Sequence, residues 1–360
     1  AALFPEESVR VVYVLGQFGL VLYMFSVGLE FRTDLFVRHL GRAAAISVAG
    51  IAAPFALGGA LTVALLYDPR FFTPTVTALQ AALFVGAALS ITAFPMLARI
   101  IYERRLGGTA LGSLTMAAAA IADAAAWIIL AVVVSSFDGE VRIAVTAVVG
   151  AMVYTGLVFT AGRRLLNWLG AVGDRSGEAP AWVFTAVMGL LASGAWFTDR
   201  VGIHAVFGAF ILGAAYPKGD HCQRLQDRIA PLTTAVLLPL FFVYSGLHTQ
   251  LGLLNTSALW LVALAVFAVA CLTKGGACAA AAHLAGARWP ESTAVGALMN
   301  MRGVTELILL DIGLQRGLIT PTFFTIFVLM AIGTTCLAGP VLDWGRRHWP
   351  ERPAGSFNGD

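Results

Sequence analysis

The stretch GAALSITAFPMLARII, residues 86–101, places Pro95 inside an otherwise apolar run. Proline has no backbone N–H group and its ring clashes with the preceding turn, so a helix through this stretch must kink or break. Ser90 and Thr92 precede the proline, and their hydroxyl groups can bind a desolvated cation together with the carbonyl groups that a break would free. The stretch therefore predicts a broken helix whose interruption offers oxygen ligands.

A second apolar stretch, ALMNMRGVTELILLDIG at residues 297–313, is interrupted by Asn300 and Gly303. A pair of interrupted segments in matching places of the two halves of a chain indicates the midplane site of a transporter. The two stretches together therefore predict such a site.

Apolar runs fill the rest of the chain as well. Of its 360 residues, 59% are hydrophobic and 12% are charged, with a mean hydropathy of +0.82, whereas a soluble domain carries about 25% charged residues. Strand-like alternation is absent, and a helix crosses a bilayer with about 20 apolar residues, so an all-α polytopic membrane protein is predicted. The eleven predicted spans are 8–31, 43–66, 75–99, 109–135, 143–162, 181–198, 203–216, 231–247, 257–285, 291–314 and 321–343.

The basic residues indicate the orientation of these spans. Sixteen Lys and Arg residues lie in the loops on one side and five in the loops on the other. Cytoplasmic loops collect basic residues, so the first side is predicted to be cytoplasmic, with residue 1 outside and Asp360 inside. The net charge of +3 comes without a basic patch interleaved with aromatic residues, so no nucleic-acid partner is predicted.

Charged residues within the apolar segments are candidates for function, because a charge near the bilayer centre costs several kcal/mol. Asp123 lies midway along AAAAIADAAAWIIL, residues 117–130. Burial among alanines favours the protonated carboxyl group, which would let one carboxylate exchange a proton for a cation. The alternative is a carboxylate that only forms hydrogen bonds within the helix bundle.

Three more intramembrane charges, and Asp311 nearer the end of a segment, accompany this carboxylate. Lys274 is either a counter-charge or second protonatable group near Asp123, or half of an ion pair that fixes helix packing. Arg302 and Glu306 are four residues apart and would pair on one face of a regular helix. That pair is either structural, or it lines the ion path or stabilises a broken helix.

Other kinds of chemistry have little support in the sequence. The four cysteines show no metal-type spacing and are interpreted as small apolar core residues. No Walker motif occurs, so an ion gradient and not ATP is the expected energy source. No cofactor is predicted.

Six long segments stand out along the chain: FSVGLEF (25–31), ALSITAFPMLARII (88–101), AAIADAAAW (119–127), GIHAVFGAFILGAAYPKG (202–219), LLPLFFVYSGLHT (237–249) and MNMRGVTELILLDIG (299–313). In these segments the chain resembles the cation:proton antiporter superfamily, in the branch of plant cation/proton exchangers and bacterial potassium-efflux antiporters.

The resemblance implies a fold of about thirteen helices in two inverted repeats, with a dimerisation domain and a mobile core. Eleven spans fit if 1–360 is one transmembrane antiporter domain lacking its first two helices, with 344–360 a short cytoplasmic tail. Segments 75–99 and 291–314 would be the crossed broken helices. Asp123 would be the ion-binding carboxylate, Lys274 the core lysine and Thr92 a coordinating or positioning group. A homodimer in a bacterial-type plasma membrane is expected.

The sequence departs from the family at Ala122, where its members usually carry a polar residue before the carboxylate. In members with two aspartates the lysine pairs with the first, so here Lys274 would pair with Asp123 or stay neutral. One-for-one, electroneutral exchange is therefore expected. Regulation through a soluble domain after the last span is not expected.

The function predicted is antiport of K⁺ or Na⁺ against H⁺ by alternating access, with both ions sharing Asp123 and no enzymatic activity. Half-helix ends at the site would be neutralised by Arg302 and Glu306. The alternatives are a sodium-coupled organic-solute transporter of related architecture, a light-driven or sensory protein with Lys274 as Schiff base and Asp123 as counter-ion, and an inactive remnant.

Overall fold

The computed structural model describes residues 6–30, 40–104, 106, 109–137, 141–175, 180–202 and 205–348. Over these residues the regular elements are helices, and the only β contact is an isolated bridge between Phe72 and Ile319. The helices are α1 (Glu6–Glu30), α2 (Leu40–Leu65), α3 (Ala78–Ser90), α4 (Phe94–Glu103), α5 (Ala110–Phe137), α6 (Val141–Leu157), α7 (Arg163–Arg175), α8 (Ala181–Arg200), α9 (Ala205–Ala215), α10 (Asp220–Leu232), α11 (Leu238–His248), α12 (Ser257–Ala270), α13 (Ala277–Leu284), α14 (Trp289–Met299), α15 (Val304–Gln315) and α16 (Pro321–His348). Three π-helical segments, Val158–Gly162, Thr233–Leu237 and Cys271–Gly276, join α6 to α7, α10 to α11 and α12 to α13.

The membrane-spanning character predicted from the sequence is confirmed. In the described part of the chain, nine helical stretches are long and apolar enough to cross a membrane, and two shorter apolar helices are α3 and α9. Each of the eleven predicted segments overlaps one of these stretches, so the chain is an integral, multi-pass membrane protein.

Two helical stretches extend beyond the predicted spans. The prediction for 143–162 ends where the apolar run ends, but the helix continues through α7. The prediction for 231–247 begins at Pro231, but α10 begins eleven residues earlier at Asp220. Hydropathy detects only the apolar part of a helix. Both extensions are amphipathic, so their polar residues end the apolar run although the helix itself continues.

The chain forms two compact units. The first is built from the described parts of Ala1–Thr33 and Val134–Leu247, and the second from those of Asp34–Val133 and His248–Asp360. Asp123 and the other intramembrane charges predicted as site residues all belong to the second unit.

The first unit is organised around a close crossing of α1 and α9. A Cβ atom added at Gly28 would lie 2.3 Å from the Phe210 carbonyl oxygen, and one added at Gly213 would lie 2.3 Å from that of Phe25. Glycine at both positions removes the side chains that would hold the two backbones apart. The crossing therefore depends on these two residues.

The second unit contains the two broken helices, as predicted. The first predicted segment is divided into α3 and α4, and Pro95 lies in the first turn of α4. Proline is tolerated there because N–H groups in the first turn have no acceptor within the helix. The second is divided into α14 and α15, with Asn300 and Gly303 between them. The first break lies just before Pro95, and the second lies at Asn300 and Gly303.

The ends of α3 and α15 remote from the breaks are joined by the isolated bridge. The Thr73 N–H group donates to the Leu318 carbonyl at 3.4 Å, and the Thr320 N–H group donates to the Phe71 carbonyl at 3.1 Å. Because α3 leaves this bridge and α15 returns to it, the two half-helices run in opposite directions between the bridge and the breaks.

Candidate functional site

The two breaks contact each other directly. The Ala93 N–H group donates to the Met301 carbonyl at 3.0 Å, and the Thr92 hydroxyl donates to the Met299 carbonyl at 3.4 Å. A Cβ atom on Gly303 would lie 3.0 Å from the Cβ of Ala93. Glycine at this position therefore allows the broken helices to cross at close range.

Arg302 lies within the second break and caps the C-terminal end of α3. Its guanidinium donates from Nη1 to the Ala88 carbonyl and from Nη2 to the Leu89 carbonyl, the latter at 2.7 Å. The side chain is fully buried. A helix C-terminus carries partial negative charge and unsatisfied carbonyl groups, so a buried cation here satisfies both.

Glu306 lies in the first turn of α15 and is 3.2 Å from Arg302 Nη1 through its Oε2 atom, with both side chains buried. The predicted pair is therefore present, although Arg302 precedes α15 and does not share a regular helix with Glu306. A carboxylate is favoured at a helix N-terminus and a cation at a C-terminus. One ion pair thus neutralises the partial charges at the facing ends of two half-helices, the C-terminus of α3 and the N-terminus of α15.

Lys274 adds a second buried cation at the same end of α3. It lies in the π-helical segment Cys271–Gly276, and its ammonium group donates to the carbonyls of Ser90 and Gly50, the latter at 3.2 Å. Both of these hydrogen bonds are to main-chain carbonyls. Lys274 therefore acts in the structure as a counter-charge to the carbonyl end of α3.

Asp123 is fully buried near the middle of α5, beside the equally buried Ala122. Helix α5 is joined to α2 by the Ser47 hydroxyl, which donates to the Ala118 carbonyl at 2.6 Å. Ser47 lies three residues before Gly50 on α2, so the same helix contacts both the Asp123 helix and Lys274. Helix α2 therefore connects the helix that carries Asp123 with the lysine at the end of α3.

Ser90, Asn300 and Asp311, three polar residues of the broken helices, differ in their hydrogen bonding. Ser90 donates to the Ala87 carbonyl of its own helix at 2.9 Å. Asn300 donates through its amide nitrogen to Cys271 Sγ at 3.4 Å, while its Oδ1 atom is buried and has no hydrogen-bond partner among the described residues. Asp311 accepts from Gln315 at 2.7 Å near the far end of α15. The buried Asn300 oxygen therefore retains acceptor capacity for an ion.

Two features of the site were not identified by sequence reasoning. Thr335 on α16 accepts a hydrogen bond from the Arg302 N–H group at 2.9 Å and donates to the Arg302 carbonyl at 2.8 Å. Thr334 precedes it in the same apolar helix, so no sequence signal singled out one threonine. The π-helical segment around Lys274 was also missed, although π segments often occur at functional sites and Gly275 and Gly276 were visible there.

Comparisons with known proteins agree with this architecture. A family model described as sodium/hydrogen exchanger, transmembrane, matches residues 4–344. The Na(+)/H(+) antiporter NhaS4 of Synechocystis is 37% identical over 342 residues, covering 94% of this chain and 83% of that protein. The K(+)/H(+) antiporter 1 of Saccharomyces cerevisiae is 32% identical over 94% of this chain, which spans 40% of that longer protein.

Among solved structures, the sodium proton antiporter MjNhaP1 from Methanocaldococcus jannaschii has a similar fold. The match has a TM-score of 0.60 at 15% sequence identity and covers 96% of this chain and 86% of that chain. This likeness confirms the predicted fold class, an all-helical antiporter fold with two crossed broken helices.

Proposed function

Because the chain belongs to the sodium/hydrogen exchanger transmembrane family, whose members are transporters and not enzymes, we propose that it exchanges a monovalent cation, K⁺ or Na⁺, for H⁺. The observation that carries the proposal is the complete burial of the Asp123 carboxylate on α5, which α2 links to the crossed breaks. A buried carboxylate among alanines is costly unless it binds a proton or a cation. Competition between these two ligands for one carboxylate would couple their flows.

The other groups at the crossing have supporting roles in this mechanism. Lys274 and Arg302 neutralise the carbonyl end of α3, and Glu306 balances Arg302. Thr92 and the Asn300 Oδ1 atom would supply neutral oxygen ligands beside Asp123. The mobile core would move the site from one side of the membrane to the other only when the site is occupied. Moving a charged carboxylate without a bound ion through the apolar interior would cost several kcal/mol.

Replacing Asp123 with Asn tests the shared carboxylate. In everted, acid-loaded vesicles, K⁺ or Na⁺ added to the parent protein should release H⁺, and the Asp123→Asn variant should match vesicles without the protein. An amide cannot exchange a proton at the working pH, so the coupling should be lost. Fluorescence of a pH-sensitive dye reports the gradient, and the active salt identifies the ion.

A matched control is Glu291→Gln. Glu291 lies at the start of α14, and its carboxylate accepts a hydrogen bond from the Arg288 N–H group that caps this helix. This variant should retain parental exchange. If Asp123→Asn exchanges ions as fast as Glu291→Gln, the carboxylate mechanism is wrong. If neither salt acts on the parent, the antiport proposal itself fails.

Exchange of one cation for one proton at a single carboxylate should be electroneutral. Lys274 is already held by two main-chain carbonyls, so the cycle does not require its proton. In proteoliposomes, a diffusion potential of either sign set by permeant thiocyanate should leave the exchange rate unchanged. A steep dependence of that rate on the imposed voltage would contradict one-for-one exchange.

The cellular setting is proposed from the charges of the loops and from the family. The excess of Lys and Arg in alternate loops favours a cytoplasmic C-terminus. Location in a bacterial-type plasma membrane and assembly as a homodimer remain proposals that rest on the family resemblance.

A further inference from the structure

The unwound segment between α14 and α15 exposes peptide groups that helices would normally satisfy. Buried backbone N–H and C=O groups need partners, because leaving one unsatisfied costs stability. The carbonyls of Met299 and Met301 accept hydrogen bonds from Thr92 and Ala93 of the other broken helix. These contacts hold the first part of the segment.

The Arg302 peptide is held differently. Both its N–H group and its carbonyl bind one atom, Thr335 Oγ1, at 2.9 and 2.8 Å. Thr335 lies on α16, which is neither of the two broken helices. A single hydroxyl group therefore anchors the backbone from which the Arg302 side chain begins.

The position of that backbone determines what the guanidinium can reach. From it, Arg302 contacts the Ala88 and Leu89 carbonyls and the Glu306 carboxylate together. Three directed contacts from one planar group tolerate little displacement of its point of attachment. A shift of the Arg302 peptide would therefore misplace the end of α3.

We propose that Thr335 is a positioning residue for ion exchange, whose hydroxyl group fixes the Arg302 peptide and through it the geometry of the crossing. The inference rests on the proposed antiport function. Thr335 contacts no ion in this scheme and acts only through Arg302.

The chain provides a matched control for this residue. Thr334 is the preceding residue on α16, and among the described residues its hydroxyl donates within its own helix, to the Ala331 carbonyl at 3.1 Å. Valine has the shape of threonine without the hydroxyl group, and serine keeps the hydroxyl group without the methyl group. Thr335→Val, Thr335→Ser and Thr334→Val therefore separate the hydrogen bonds from helix packing.

In proteoliposomes, Thr335→Val should raise the apparent KM for the active cation by about tenfold, the size expected for loss of about one net hydrogen bond at the site. Its maximal rate should stay close to the parental rate. Thr335→Ser and Thr334→Val should keep the parental KM. An unchanged KM in Thr335→Val, or an equal rise in Thr334→Val, would overturn the proposal.

Hydrogen–deuterium exchange of the purified protein tests the same contact without transport. Peptides that contain residues 300–303 should take up deuterium faster in Thr335→Val than in the parent, and Thr334→Val should match the parent. Equal uptake in Thr335→Val and the parent would overturn the anchoring role even if antiport occurs. If the parent exchanges no ion, the proposed function fails, while faster uptake still supports the anchor.

Discussion

Replacing Arg302 with methionine should lower the free energy of unfolding by about 3–5 kcal/mol, the usual cost of removing one partner of a buried ion pair. The substitution leaves the Glu306 carboxylate buried without its cation and removes the donors to the Ala88 and Leu89 carbonyls. The measurement is a denaturant titration of the detergent-purified protein, followed by tryptophan fluorescence.

Further variants separate the charge from its geometry. Arg302→Lys should recover only part of the loss, because one ammonium group cannot reach the two carbonyls and Glu306 as a planar guanidinium does. The Arg302→Met/Glu306→Leu double variant should be more stable than Arg302→Met, since it removes the uncompensated carboxylate.

A comparison ion pair in the same unit is Arg104–Asp343, whose side chains are 38% and 39% exposed. Arg104→Met should cost no more than about 1 kcal/mol, because solvent screens such a pair. If Arg302→Met is no more destabilising than Arg104→Met, the buried cation does not stabilise the end of α3 in the way described.

A leucine in place of Gly28 should disrupt the first unit, with a cost of at least about 3 kcal/mol, at the upper end of the usual overpacking range. The added Cβ would lie 2.3 Å from the Phe210 carbonyl oxygen and 2.8 Å from the Ala214 nitrogen. Both are backbone atoms of α9, so neither can rotate away as a flexible side chain would. The same denaturant titration, together with the yield of folded protein, measures the loss.

The matched control is Gly156→Leu in α6, where a Cβ would meet nothing within 4 Å. That variant should be neutral or more stable by up to about 1 kcal/mol, since leucine is the better helix former. Equal stability of Gly28→Leu and Gly156→Leu would show that the α1–α9 crossing is looser than described.

The broken helices illustrate what could be predicted from local chemistry. Pro95 cannot continue a helix, and Asn300 and Gly303 weaken one, so the interruptions followed from the residues at those positions. The Arg302–Glu306 pair could be predicted equally well, because its partners are four residues apart in the sequence. The contacts of Lys274 were not, since Gly50 and Ser90 are more than 180 residues away in the chain.

The sequence by itself determined that the chain spans the membrane many times, where two of its helices break and which charges are buried, because apolar runs and helix-breaking residues act over a few neighbouring positions. The tertiary structure alone decided that Lys274 binds the carbonyls of Gly50 and Ser90, and that Thr335 anchors the break while Thr334 does not. The physical reason is that adjacent residues on a helix point in different directions. Which of them meets a distant peptide group depends on how the helices pack.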